Sequence, residues 1–349
     1  MNYNFYENDI YSLASKNKTL LSVTIELTTR CNWRCKHCYL PLYINKGLSR
    51  ECLYNLFQDL RKMGTFELLF TGGEIFTRPD IIDIIRDARE MFFDVKLFTN
   101  VSLLNENQIK ALSELNISQV SCTVFSMSES IHDQITSVKG SLKRTVNNLH
   151  LLKKYNIPVE VKQIILTTNQ NCIDEVSIFC KNMNFKHLVT TNIFYKTDGN
   201  STPSTFRVSD QFLNENIVKI DQIRNFKCFE NNSTMYVCNA TRYSCTIESN
   251  GNFLACNNLN LPLGNILTTP IEEIWLNSTT LHQIQNKKFS DLEKCTSCPL
   301  NKYCNRCSGV ALLEDKSLWG CLKSERQVAR ARLVNKDYYS SIGTTSVHC

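Results

Sequence analysis

From Leu20 to about Tyr195 the apolar positions switch repeatedly between short β-type runs and stretches with helical spacing. Leu21-Ser-Val-Thr-Ile-Glu-Leu reads as a strand. Leu53, Leu56, Leu60 and Met63 then recur every three or four residues, the period of one helical face, and Gly64 closes that helix. Phe66-Glu-Leu-Leu-Phe-Thr predicts a second strand, ending at Gly72-Gly73-Glu74. Pro79, tolerated in a first helical turn, opens a helix over 80–91. A strand over 95–98 and a helix over 106–115 follow, then a strand over 119–125. Leu142, Val146, Leu149 and Leu152 mark the next helix, and segments 159–166, 173–183 and 187–194 complete six units.

Such alternation implies a parallel sheet with helices packed outside it. Six units are too few for a closed eight-stranded barrel, so the expected architecture is an α/β partial (β/α)6 barrel. Active residues of such barrels sit at the carboxyl ends of strands, and Cys31, Glu74, Asn100 and Ser126 all follow predicted strands. Beyond residue 198 the character changes. Thr197-Asp-Gly-Asn-Ser-Thr-Pro is loop-like, and 209–226 predicts one helix. From Cys238 regular periodicity fades and cysteines take over, as in a small irregular domain held by metal rather than by a core. A helix over 325–333 precedes a polar end expected to fray. The predicted division is an extension over 1–19, the barrel over 20–200, a bridging segment over 201–235, a cysteine-rich domain over 236–327 and a tail over 328–349.

Composition narrows the chemistry. With 42% hydrophobic and 21% charged residues in 349, the chain has the makings of a buried core. The net charge of +6 is dispersed, without a basic block dense enough for nucleic acid, and reads as a solvated surface. No signal peptide opens the chain and no apolar run approaches membrane-spanning length, so a cytoplasmic location is expected. In that reducing compartment 17 cysteines argue for metal or redox use rather than disulfides.

Cys31-x3-Cys35-x2-Cys38 follows the first strand directly, and thiolates so spaced wrap a metal centre more readily than they pair. Zinc is one reading, with His37 as its only nearby fourth ligand. The motif, followed one unit later by Phe70-Thr71-Gly72-Gly73-Glu74, resembles the signatures of radical S-adenosylmethionine (SAM) enzymes. That resemblance implies a 4Fe–4S cluster on Cys31, Cys35 and Cys38 whose fourth iron chelates SAM, and one-electron cleavage to a 5′-deoxyadenosyl radical that abstracts hydrogen. It also implies that Gly72 and Gly73 admit the ligand close to the backbone and that Glu74 is a charge partner for its ammonium. Asn100 and Ser126 stand where relatives contact the methionine carboxylate and the ribose, and Lys162 is a candidate for the same pocket. The plain alternatives are a loop cap for Asn100, a turn start for Ser126 and solvent for Lys162. No motif singles out a catalytic side chain.

In the second half, Cys238-x12-Gly251-x4-Cys256 and Cys295-x2-Cys298-x5-Cys304 resemble the SPASM domain, which binds two auxiliary 4Fe–4S clusters. Only Asn305 and Arg306 separate Cys304 from Cys307, where three residues are common. By resemblance, Cys238, Cys245, Cys256 and Cys307 hold the cluster nearer the barrel, and Cys295, Cys298, Cys304 and Cys321 the outer one. The implied cofactors are three 4Fe–4S clusters and SAM, with the fully ligated auxiliary pair conducting electrons. A zinc ribbon is the alternative, although ribbons usually space their pairs more widely. Cys52, Cys122, Cys172, Cys180, Cys228 and Cys349 read as small apolar side chains. In an epimerase one thiol would donate hydrogen to a substrate radical, and Cys122 and Cys228 are the candidates.

SPASM-bearing enzymes mostly modify peptides or proteins. Sulfatase maturases carry an aspartate base directly after the cysteine matching Cys256; here Asn257 stands there and is no base at neutral pH. The favoured reading is maturation of a ribosomally made precursor peptide by a thioether or carbon–carbon crosslink, or a related change begun by hydrogen abstraction. The alternatives are a sulfatase-maturase-like or small-molecule-modifying enzyme, a peptide epimerase, and an iron–sulfur electron carrier. The carrier leaves the barrel and Gly72-Gly73-Glu74 without purpose. Thirty residues before Cys31 are too few for a fused leader-binding domain. Leader recognition is therefore expected from a separate leader-peptide-binding protein or directly from the barrel mouth and residues 196–235, and the expected electron donor is a flavodoxin or ferredoxin-type protein.

Overall fold

The computed structural model describes residues 9–226, 228–229, 234–342 and 344–345. Parts of the expected extension, bridging segment and tail, and the whole of Cys349, lie outside the described residues. Six parallel strands follow one another in chain order: β1 (Ser22–Thr28), β2 (Glu67–Gly72), β3 (Asp94–Phe98), β4 (Gln119–Thr123), β5 (Val159–Ile164) and β6 (Lys186–Thr190). Successive strand residues point to opposite faces. One set, including Val23, Ile25, Leu68, Phe70, Val95 and Val161, is fully buried in an aliphatic core. The other set, including Thr71, Phe98, Ser121, Thr123, Lys162 and Thr190, lines an interior cavity.

Helices cover the aliphatic face: α1 (Ile10–Asn17), α2 (Arg50–Lys62), α3 (Ile81–Glu90), α4 (Glu106–Glu114), α5 (Glu129–Thr136), α6 (Ser141–Lys154) and α7 (Ile173–Met183). All but α1 and α5 match predicted helices. Pro79 lies in the turn before α3, with Asp80 as N-cap, rather than in the first helical turn. α5 is eight residues long and offers only Ile131 and Ile135 as a one-turn repeat, too little for a periodic signal.

The cysteine-rich segment differs from the expected metal-held appendage. After the short strand β7 (Cys228–Phe229), strands β8 (Ser244–Ile247), β9 (Asn252–Leu254) and β10 (Gly264–Asn265) extend the barrel sheet itself. β8 runs parallel to β1, with Val23 opposite Cys245 and Ile25 opposite Ile247. The nine-stranded order is β10-β9-β8-β1-β2-β3-β4-β5-β6, and Ile247 and Phe253 join the same aliphatic core. Strands of four, three and two residues are too short to declare their period in a sequence. The predicted helix of the bridging region forms as α8 (Asp210–Ile223) and packs on the helix Lys323–Val334. There the buried Arg332 donates to both oxygens of Asp221 at 2.8 and 3.1 Å. β7 itself pairs with Thr344–Thr345 as β11. No described helix is long and apolar enough to cross a membrane.

Candidate active site

A cavity of about 450 Å³ opens at the carboxyl ends of the strands. Cys31, Cys35 and Cys38 form one wall, Thr71, Gly72 and Gly73 the next, and Asn257, Asn258 and Asn260 approach from the exit of the β8–β9 hairpin. The loop carrying the three thiols is docked on the end of α5: Arg34 N–H donates to the Thr136 carbonyl at 2.9 Å and Lys36 N–H to that of Ile135 at 3.1 Å. The helix invisible in the periodicity thus holds the most legible motif in place. Burial pushes the Cys31 thiol up to about 11 and the Cys35 thiol well above its ordinary value, and the neighbouring thiols of the triad add to both shifts. Thiols such as Cys31 and Cys35, whose ionisation is discouraged, are suited to a cationic metal centre, which would reverse that preference. Beside them, Nδ1 of His37 and Nε1 of Trp33 are buried without hydrogen-bond partners. Both side chains line the cavity, and burial holds the His37 imidazole neutral, down to about 4. Unpartnered polar atoms at a cavity wall fit a missing polar ligand.

Gly72 and Gly73 line the cavity as expected, and the segment also braces the cysteine loop. Gly73 N–H donates to the Thr28 carbonyl at 2.8 Å and Glu74 N–H to that of Arg30 at 2.7 Å. The segment therefore grips the backbone immediately before Cys31. The Glu74 carboxylate is fully buried and absent from the cavity wall. It accepts from the Thr99 hydroxyl at 2.6 Å, the Asn100 N–H at 2.6 Å and the Phe76 N–H at 3.0 Å. Burial raises its pKa against those three donors. Glu74 thus ties the end of β3 to the end of β2 and leaves Thr71 and the two glycines at the cavity wall.

Asn100 does line the cavity, with its amide donating to Asn32 Oδ1 at 2.8 Å and its oxygen accepting from the Ser102 hydroxyl at 2.7 Å. Ser126 does not. It is fully buried away from the cavity wall, and its hydroxyl donates to Glu175 Oε1 at 2.5 Å. The hydroxyls that β4 does turn to the cavity belong to Ser121 and Thr123, which alternation along the strand identifies once its inward face is known. Lys162 also faces inward. Its ammonium lies 3.2 Å from the Phe98 ring centroid and 3.8 Å from Glu160, and burial pulls it down to about 8. A smaller chamber of about 300 Å³ shares Tyr39 and Asn257 with the main cavity. Glu26, which reads in the sequence as an ordinary strand residue, lines it and accepts from the Ser249 hydroxyl at 2.7 Å.

The auxiliary cysteines fall into two groups. Burial and the neighbouring Cys307 raise the Cys238 thiol, and burial, Cys238 and Cys307 raise that of Cys256. Burial, Cys321 and Cys298 raise the Cys295 thiol, and burial, with Cys295 and Cys321 among its neighbours, raises that of Cys304. Cys245 belongs to neither. It is 2% exposed on the aliphatic face of β8, opposite Val23, and burial alone raises its thiol. Cys245→Ala should leave the iron content of the reconstituted protein unchanged, whereas Cys256→Ala should lower it by about 4 per chain. Equal iron losses in the two variants would contradict the grouping. Among the described residues, no three His, Cys, Asp or Glu side chains converge on a single metal ion.

Cys122 and Cys228 are buried in separate apolar clusters, and the thiols on the main cavity wall are those of Cys31, Cys35 and Cys38. Neither hydrogen-donor candidate for an epimerase is therefore brought to the site.

Comparison with known proteins agrees with this arrangement. Residues 25–177 match the radical SAM superfamily model, and residues 238–299 match the SPASM iron–sulfur cluster-binding domain. The chain is 23% identical to a PqqA peptide cyclase of Rhodopseudomonas palustris, covering 50% of this chain and 47% of that protein. It is likewise 23% identical to an AdoMet-dependent heme synthase of Methanosarcina barkeri, covering 82% of this chain and 90% of that one. Streptococcus suis SuiB bound to its precursor peptide SuiA superposes with a TM-score of 0.69 at 16% identity, covering 93% of this chain and 84% of that chain. The triad, the glycine wall and the asparagines that follow the β8–β9 hairpin line one cavity, and the chain carries a radical SAM domain over residues 25–177 followed by a SPASM domain over 238–299.

Proposed function

We propose that this chain is a cytoplasmic radical SAM enzyme that modifies a ribosomally synthesised peptide. The carrying observation is the placement of Cys31, Cys35 and Cys38 across one cavity from Gly72 and Gly73, at the strand ends where a barrel does its chemistry. When bound, a reduced 4Fe–4S cluster supplies one electron to the sulfonium of SAM and yields the 5′-deoxyadenosyl radical. Cys31, Cys35 and Cys38 would hold that cluster, and the unpartnered His37 and Trp33 nitrogens fit a polar ligand beside it. Backbone at Thr71, Gly72 and Gly73 would meet the ammonium group, Asn100 and Lys162 the carboxylate, and Thr123 the ribose. Cys295, Cys298, Cys304 and Cys321 would hold an outer auxiliary cluster. Cys238, Cys256 and Cys307 would hold an inner one, without Cys245 as a fourth ligand. Electrons would enter from a flavodoxin or ferredoxin-type donor.

Similarity to a peptide cyclase and to a structure holding a precursor peptide supports a peptide substrate. The long match to a heme synthase favours a second reading, a small-molecule substrate. Anaerobic protein reduced with dithionite should release 5′-deoxyadenosine from SAM. Mass spectrometry of incubations with a short peptide encoded beside the gene, or with a porphyrin, then separates the readings. A mass loss of two hydrogens in the peptide supports crosslinking, and a change confined to the porphyrin overturns it.

Lys162 gives this reading a pH signature. Only its ammonium form attracts a carboxylate, so SAM affinity should be highest below about 8 and decline as pH rises through that value. Lys162→Gln should weaken binding and flatten the profile, as measured by anaerobic equilibrium dialysis. A decline that persists in the variant would assign the titration elsewhere.

A further inference from the structure

Arg306, one of the two residues in the shortened spacing between Cys304 and Cys307, is 7% exposed. Its guanidinium is pinned on two sides. Nη1 donates to the Ser308 hydroxyl at 2.9 Å, and Nη2 to the carbonyls of Leu318 at 2.5 Å and Gly320 at 3.2 Å. The Trp319 ring lies 5.9 Å away. These contacts leave Nε–H buried without a hydrogen-bond partner of its own, while the Cys295 thiol lies within side-chain hydrogen-bonding reach of the guanidinium. The ionisable groups that bear on the guanidinium are the thiols of Cys295, Cys307 and Cys304, with Cys295 the strongest. Among the described residues no carboxylate lies within ion-pair distance of it.

An unsatisfied buried N–H is destabilising, and a buried cation without a counter-charge is more so. Both costs vanish if the missing partner is anionic sulfur. The geometry points to Arg306 as a positioning residue for the outer auxiliary cluster: its Nε–H donates to sulfur at the Cys295 side of that cluster, and its charge raises the cluster's reduction potential. Reduction adds one negative charge to the cluster, so a fixed neighbouring cation and a hydrogen bond to sulfur stabilise the reduced state selectively. Electrons would then settle on the outer cluster more readily than its distance from the cavity alone would provide. The inference rests on the assignment of Cys295, Cys298, Cys304 and Cys321 as the outer ligands.

The test is an EPR-monitored redox titration of reconstituted protein carrying Cys31→Ala, Cys35→Ala and Cys38→Ala, in which only auxiliary clusters contribute. Adding Arg306→Gln should leave the iron count unchanged and move one auxiliary potential negative by at least ~59 mV, a tenfold change for a one-electron couple. Arg306→Lys, which keeps the charge, should recover part of the shift. A purely structural role would lower the iron count and leave the remaining potentials in place. Full iron with unmoved potentials overturns the role of Arg306, and an iron count near zero in the parent background overturns the ligand assignment instead. If Arg306→Gln does not load, protein grown on 15N-arginine decides. Pulsed EPR of the reduced outer cluster should show a weak 15N coupling, and its absence overturns the proposal.

Discussion

Cys35→Ala should abolish 5′-deoxyadenosine formation by the reduced protein, with a fall of at least ~1,000-fold, while about 4 irons per chain are lost and the auxiliary iron remains. Cys35 shares a wall with Cys31 and Cys38, and its thiol is influenced by both. The turn that sets the spacing is closed by Cys38 N–H donating to the Cys35 carbonyl at 3.0 Å. Removing the middle thiol leaves two ligands that cannot hold a cube, and among the described residues no other thiol lines that cavity. Iron analysis and product chromatography on the same sample check both halves. Cleavage of SAM by a variant with normal auxiliary iron would remove the triad from the reaction.

The second large effect is expected at Gly73. A Cβ there would stand 2.3 Å from the Arg30 carbonyl oxygen and 2.6 Å from that of Thr29, both rigid backbone. Gly73→Ala must therefore push residues 28–30 away, straining the hydrogen bonds from Gly73 and Glu74 that fix the chain entering Cys31. The variant should lose SAM cleavage almost completely, with reduced iron at the triad and intact auxiliary iron. Gly64→Ala is the control. Gly64, unlike Gly73, has a positive φ, of +85°, and its nearest neighbour for a Cβ is a Thr19 methyl at 3.9 Å, so only backbone strain of about 1–2 kcal/mol applies. Full activity in Gly73→Ala, or equal damage in Gly64→Ala, would show that close approach at residue 73 is not what the cysteine loop depends on.

These two expectations differ in how far the sequence anticipates them. The triad is legible because ligand spacing is a property of the covalent chain. Gly72 and Gly73 are legible as close-approach positions, and the polypeptide of residues 28–30 lies against the side where a Cβ would stand while both glycines line the cavity. Glu74 was expected to meet an ammonium and instead spends its carboxylate on Thr99, Phe76 and Asn100. Ser126 follows a strand as expected, yet Glu175 from α7 takes its hydroxyl, a partner 49 residues away. The β8–β9 hairpin escaped because its strands are shorter than any periodic window, although pairing with β1 makes it part of the main sheet.

The sequence by itself determined the alternating architecture, the cysteine triad and its companion glycines, and the second cysteine-rich region. Each is encoded in local spacing, through the periods of helix and strand or the reach of neighbouring thiols. Only the tertiary structure decided which of those groups share a wall. Cys245 and Thr246 are adjacent in the chain, yet pairing with β1 buries the first among aliphatic side chains and turns the second into the chamber beside the active site. One residue of register separates the two outcomes, and register is fixed by burial of the sheet's apolar face rather than by anything local to the cysteine. The same holds for Arg306, where a two-residue spacing is visible in the chain but the unpartnered N–H appears only once Leu318 and Gly320 close around the guanidinium.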